Sequence, residues 1–307
     1  MPLRPGLLIG TSGWNVAEWS GTVFPKIRGK GFHSVEYLSE YCDLVEIEQS
    51  FRHPLRPEVV KVWLAKVRHN PRFTFTALLG RQFTYDRCLD DASVAVWKQG
   101  FRTLKEAGRL GAVVMQFPWA YKFSQENRDH LIRLRRAFHE FPLVAELRHD
   151  SWHLEEAIGT LIDYRIGLVN IDQPQYFRAT PPSAILTSVT GYVRLHGRAG
   201  VDEMRDFDAG PPVPYLYSPA ELMEWEPRIN RLASLAPKTL VVFTNRQSGR
   251  SMVNALQTIE VMGGGRMQAP PDLLERYYRE LAGFRAPRPV QTQLLPEVEL
   301  LPARAVA

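Results

Sequence analysis

The chain has 307 residues, 45% of them hydrophobic, enough for one large or two ordinary globular domains with a sizeable core. No apolar run is long enough for a membrane helix, and no charged-then-apolar leader follows Met1, so a cytoplasmic protein without a membrane partner is expected. The formal charge of +5 is compatible with phosphate-bearing partners without requiring them, and two cysteines without a CxxC, Cys42 and Cys88, read as free thiols.

Strand-like and helix-like runs alternate along the chain. LLIG at 7–10 reads as the first strand and is followed by the loop TSGW. A helix over 34–41 leads to LVEIE at 44–48, and a helix over 57–68 leads to FTFTALL at 73–79. A helix over 92–107 precedes GAVVMQF at 111–117. Ser124 opens a helix to about Phe138, ahead of the strand LVAEL at 143–147. Ser151 is placed to cap a helix ending near Tyr164. IGLVNID at 166–172 and GYVRLHG at 191–197 are the sixth and seventh strands, joined by 173–188 without a clear helix pattern. Ser218 opens a helix to about Ala233, TLVVFTN at 239–245 is the last strand, and 252–262 the last barrel helix. Such alternation predicts an α/β protein with parallel strands, here a (β/α)8 TIM-barrel-like single domain over residues 1–262. A doubly wound sheet would need a glycine-rich phosphate turn after its first strand, and none is present. Residues 263–307 read as a short C-terminal helix, with Leu273, Leu274, Tyr277, Tyr278 and Leu281 on one face, and a proline-rich irregular tail.

In a barrel the carboxyl ends of the strands build the site. Here those ends are polar: Thr11 and Ser12, Glu46 and Glu48, Gln116, Glu146 and Arg148, Asn170 and Asp172, Arg194 and His196, and Asn245, with Asn254 on the next helix. Side chains two apart on a strand share a face, so Glu146 pairs in direction with Arg148, and Arg194 with His196. One such group is usually a satisfied core polar residue. Their recurrence at one end of the barrel points to a pocket, in which Glu46, Gln116, Glu146, Arg194 and Asn245 are expected to converge.

Three chemistries fit these residue types. Carboxylates and imidazoles ligate divalent metal, but no HExxH-like spacing occurs, so no tightly bound metal or other cofactor is expected. Glu46 and Glu146 are candidates for an acid–base pair, with His196 as a third proton-handling group. Arg148 and Arg194, each with Glu146 or Glu48 as a carboxylate candidate, match the geometry of an anion, and His149 lies beside them. Arg194 is expected at a partly wet mouth, where its loss would weaken anion binding more than stability. Trp14, Trp19, Trp119, Trp152 and Phe177 fall near the same loops, where they either stack a ligand or, more commonly, pack the loops.

The motifs IGTSGW at 9–14, Trp19-x-Gly21 with Phe24-Pro25, VEIE-x-SF at 45–51, Gln116-Phe117-Pro118, AELRHDSW at 145–152 and YVRLHG at 192–197 form an ordered set. It continues with Tyr215-x-Tyr217-Ser218 ahead of Glu221, Leu222 and Trp225, and with Asn245 and Asn254-Ala255. Together they resemble the YecE-like family, domain of unknown function 72. The resemblance implies a TIM-barrel-like fold, similar to endonuclease IV-type and other sugar-phosphate enzymes, but no established activity. The chain departs from the family pattern at Glu48, at Arg52 and at Leu78, where the family has Asn, Tyr and Lys, and so is expected to have a more acidic mouth. The reading is of an enzyme acting on a phosphate- or sugar-bearing substrate, nucleic acid among the ligands considered, by acid–base chemistry at Glu46, Glu146 and His196. Trp14, Gln116, Arg148, His149, Asp172, Arg194, Tyr215, Asn245 and Asn254 are the candidate ligand-binding residues. A non-catalytic module binding a small anionic or nucleic-acid ligand in the same pocket is the alternative; the oligomeric state is open.

Overall fold

The computed structural model describes residues 3–14, 16–199, 213–265 and 268–287. Eight parallel strands close into a barrel in chain order. They are β1 (Leu7–Ser12), β2 (Leu44–Ile47), β3 (Thr74–Leu78), β4 (Leu110–Gln116), β5 (Leu143–Glu146), β6 (Gly167–Asp172), β7 (Thr190–Leu195) and β8 (Lys238–Phe243). The ring closes between β1 and β8, in register from Leu7 opposite Thr239 to Thr11 opposite Phe243. The helices are α1 (Ser34–Leu38), α2 (Pro57–Lys66), α3 (Arg81–Thr84), α4 (Asp91–Glu106), α5 (Gln125–Ala137), α6 (Glu155–Asp163), α7 (Pro219–Leu235), α8 (Arg250–Val261) and α9 (Pro271–Arg276).

Local chemistry sets the helix ends. Ser124 accepts from Asn127 N at the start of α5, and Ser218 forms a full capping box with Glu221 at the start of α7. Ser151 does not cap α6. The segment Asp150–His153 is a 3-10 turn in which His149 accepts from Ser151 N, while Ser151 Oγ accepts from Phe123 N at 2.8 Å. A hydroxyl engaged by the neighbouring loop is unavailable to α6, which begins after Leu154 without a side-chain cap. The α9 face forms in part: Leu273, Tyr277 and Leu281 are buried, Leu274 is half-buried and Tyr278 is exposed. The tail from residue 288 lies outside the described residues.

Two apolar layers result. Leu8, Leu44, Leu78, Val114, Val144, Val169, Ile171, Tyr192, Leu240 and Val242 fill the barrel interior. The outward residues of the same strands, among them Ile9, Val45, Val113, Val193 and Val241, pack with the helices. The two memberships identify which face of each strand is inside. No helix joins β6 to β7. Residues 173–188 instead form a strap stitched to the barrel. Asn170 Oδ1 accepts from Ile185 N at 2.8 Å, Thr187 Oγ1 accepts from Leu168 N at 2.7 Å, and Thr180 N donates to Arg148 O at 2.9 Å. No helix among the described residues is long and apolar enough to cross a membrane.

Candidate active site

Directly above the inner apolar layer, the inward positions turn polar. β2 contributes Glu46 two residues after Leu44, β5 contributes Glu146 two after Val144, and β7 contributes Arg194 two after Tyr192. Arg194 joins them across the barrel: Nη2 donates to Glu46 Oε1 at 2.8 Å, Nη1 donates to Gln116 Oε1 at 2.8 Å, and Nη1 also pairs with Glu146 Oε2. Arg148 Nε donates to the other Glu146 oxygen at 2.7 Å. Glu46 further accepts from Tyr192 Oη at 2.8 Å and lies 2.9 Å from Ser12 Oγ. Both glutamates are 0% exposed, and the Arg194 side chain is only 4% exposed. Two acids and two guanidiniums thus balance in a buried layer, the condition under which burying charge is tolerable. Arg194 is largely buried but lines the cavity above the layer, and its partners are Glu46 and Glu146 rather than Glu48.

Burial pushes the Glu146 carboxyl up, but the guanidiniums of Arg148 and Arg194 outweigh this and hold it well below the usual carboxylate range. Burial pulls His196 down to about 4, with Arg148 and Arg194 adding to the fall and Glu146 opposing it. His196 is therefore neutral at pH 7. Its Nε2 is 3.3 Å from Glu146 Oε2 and its Nδ1 is 2.7 Å from Thr244 Oγ1, so Glu146, His196 and Thr244 form a line from the buried layer outward.

That line ends in a cavity of about 210 Å³ over the layer. Gln116, Arg194, His196 and Thr244 belong to its lining, with Phe51, Leu78, Tyr85 and Tyr215 as apolar and aromatic parts and Arg52, Glu48 and Arg246 as charged ones. Glu46 and Glu146 do not line it; Gln116, Arg194 and His196 do. Gly197 adopts φ +98, and a Cβ there would approach Tyr215 Cβ to 2.8 Å, so this edge of the cavity needs glycine twice over. Arg246 pairs with Glu48, and Trp19 Nε1 donates to the Arg246 carbonyl at 2.8 Å. Glu48 is thereby neutralised, and Arg52 has no side-chain hydrogen bond or ion pair among the described residues. The charged lining comprises three arginines and one glutamate, so among the described residues its formal charge is positive.

Other candidate residues lie elsewhere. Val169 and Ile171 face the barrel interior, so Asn170 and Asp172 face outward. Asp172 pairs with Arg198 at 2.8 Å and accepts from Trp225 Nε1. Leu240 and Val242 likewise place Thr244 inward and Asn245 outward, so Asn245 does not converge with Glu46, Gln116, Glu146 and Arg194. Its Nδ2 donates to Tyr215 O at 3.0 Å and to Asn254 Oδ1 at 2.9 Å. Asn254 holds the Tyr217 backbone through both its amide atoms, which shapes the approach to Tyr215 without facing the cavity. Trp14 packs edge-on with Trp63 at 5.0 Å. His149 lies on the loop after β5, against Ser151 of the same loop and Trp119 of the loop after β4. Trp19 and Trp152 are fully buried, and Phe177 is 81% exposed. Sequence reasoning missed Phe51, Tyr85, Thr244 and Arg246; the phase of β8 would have found Thr244, but its uniformly apolar strand hides that phase. Among the described residues no group of three or more His, Cys, Asp or Glu is placed to hold a metal ion.

A closed (β/α)8 barrel with a charge-balanced layer under a small cationic mouth defines the class of protein. Residues 8–275 match the family model described as "Protein of unknown function DUF72", and the chain belongs to that family. It is 21% identical over 273 residues to the UPF0759 protein YunF of Bacillus subtilis (strain 168), covering 83% of this chain and 94% of that protein. A crystal structure of a DUF72 family protein from Thermotoga maritima superposes with a TM-score of 0.71 at 28% identity, covering 84% of this chain and 99% of the other. One from Enterococcus faecalis reaches the same TM-score at 19% identity, covering 84% and 95%, and supports the fold alone.

Proposed function

We propose that the barrel mouth binds a small phosphate- or sugar-phosphate-bearing molecule and that His196, with Thr244, handles a proton of that ligand. The observation that carries the reading is Arg52, a guanidinium without an acid among the described residues, over the same cavity as Arg194 and Arg246. A guanidinium fork matches phosphate oxygens, and the aromatic lining offers the remaining part of the ligand an apolar surface. At about 210 Å³ the cavity is smaller than the roughly 300–1,000 Å³ typical of drug-sized sites, which favours a single sugar-phosphate-sized unit over a polymer.

Glu46 and Glu146 act here by position, since neither reaches the cavity. Glu146 and Arg148, each 3.3 Å from His196 Nε2, orient the His196 ring, and Glu46 holds Arg194. A neutral imidazole contacting a hydroxyl at the cavity wall has the form of a general base with its relay. The rival reading, a binding module without turnover, is favoured by one observation: His196 with a pKa of about 4 is a weak base at neutral pH. Calorimetry with inorganic phosphate and a panel of sugar phosphates at low salt, followed by turnover assays on any that bind, separates the two. The expected result is binding that falls with rising salt and weakens at least tenfold in Arg52→Ala. No anion binding by the wild type at millimolar concentration would remove the reading. Binding without turnover, unchanged in His196→Asn, would leave the module.

A further inference from the structure

At the opposite end of the barrel, where β5 and β7 begin, a second cavity of about 330 Å³ lies between Arg135, Arg165, Phe141, Leu143 and Val189. Among the described residues, no Asp or Glu lines it. Arg135 belongs to the last turn of α5, and its Nε donates to Tyr164 O at 2.9 Å, an ordinary role at a helix carboxyl end. Its Nη1 is buried and has no hydrogen-bond partner. Burial and the nearby positive Arg165 both pull the Arg135 guanidinium below its ordinary value, with no acid opposing them.

Arg165 is itself an unusual choice. It follows α6 at φ 53, with Ile166 N donating to Leu161 O at 2.8 Å and Arg165 N to Ile162 O at 3.0 Å. This is the two-bond helix ending that glycine normally serves, because a Cβ is strained there. Two other arginines adopt left-handed backbone, and each delivers its guanidinium to an acid. Arg87 reaches Glu126 at 2.6 Å, and Arg178 reaches Asp150 at 2.9 Å. Arg165 has no hydrogen bond or ion pair from its side chain among the described residues. A strained backbone and an orphan buried guanidinium nitrogen are two separate costs at one cavity; a bound anion would offset the second and would also draw on the exposed Arg165 guanidinium.

We propose that this cavity is a second anion site, for a phosphate monoester whose ester group is apolar. A dianion balances both guanidiniums, whereas a single carboxylate leaves one charge over. Phe141, Pro142, Leu143 and Val189 give the ester group an apolar wall. Strands β5 and β7 run from this cavity to Glu146 and Arg194 at the other end, so the two anion sites are separate.

The test is calorimetric titration of the full chain with phenyl phosphate at low salt and pH 8, beside Arg52→Ala and Arg165→Gly. Glycine relieves the backbone strain, so Arg165→Gly should melt higher than wild type and yet bind less. Two equivalents are expected in the wild type, one weakened at least tenfold by Arg52→Ala and the other by Arg165→Gly. Inorganic phosphate should bind the second site more weakly than phenyl phosphate does. A single equivalent removed by Arg52→Ala and untouched by Arg165→Gly would overturn this site and leave the mouth reading intact. A single equivalent removed only by Arg165→Gly would do the reverse, and no binding at all would overturn both.

Discussion

Two acid–arginine clusters stand on opposite faces of the same sheet. On the inner face, Arg194 and Arg148 hold Glu46 and Glu146 in full burial. On the outer face, Arg198 holds buried Asp172 and reaches Glu221 at 3.5 Å and Glu224 at 2.8 Å, with its own side chain 27% exposed. Strand parity alone separates them: Asp172 ends β6 on its outer side, while Glu146 ends β5 on its inner side. The inner cluster is buried, so its charges must balance within the layer. The outer one borders solvent, which screens any excess acid. The first can underlie a site; the second tethers the chain after β7 to α7.

That contrast is open to attack by mutation. Arg194→Ala should do the most damage, leaving Glu46 without a cation and Glu146 with one. A loss of ~3–5 kcal/mol in urea unfolding is expected. A loss under about 1 kcal/mol would show that water enters the layer, erasing the difference between the clusters.

Acidification comes next. The folded pKa of His196 lies at about 4, below its ordinary 6.5, so between those values the unfolded chain binds the proton and the folded one does not. Stability from this group is therefore present above pH 6.5 and is lost as pH falls toward 4, by about 3 kcal/mol at most. His130, also drawn down to about 4 by burial, contributes in the same window. Unfolding at pH 7.5 and pH 5 should show a smaller difference in His196→Gln than in wild type; an unchanged difference would assign the effect to the other histidines that burial pulls down, His33, His130, His149 and His153. Glu146, held low, adds its own loss only at more acidic pH.

Arg198→Ala should cost less, about 1–3 kcal/mol, because Asp172 keeps Trp225 and gains water. Added salt should shrink that cost but not the cost of Arg194→Ala, and equal salt responses would break the inner–outer distinction. Arg52→Ala should change stability by no more than about 0.5 kcal/mol while removing anion affinity. A large drop in melting temperature there would mean that Arg52 supports the fold.

Alternation of apolar strands and amphipathic helices was enough to establish the eight-stranded barrel, because parallel strands covered on both faces read as short apolar runs. It was also enough to place Glu46, Glu146, Arg194 and His196 on inner faces, since charges two residues apart at the ends of β2, β5 and β7 declare the strand's phase. Strands β6 and β8 carry no such mark. LVNID and LVVFTN are apolar on both faces, so the sequence alone does not show that Asn170, Asp172 and Asn245 face outward and Thr244 inward. Only the closed barrel, with its register and its two apolar layers, decided those sides. Tertiary structure alone also decided that Glu48 would spend its charge on Arg246 and that Glu46 and Glu146 would lie beneath the cavity rather than in it. Residues in different loops meet only when the chain closes, and pairing across that distance leaves no periodic trace in the sequence.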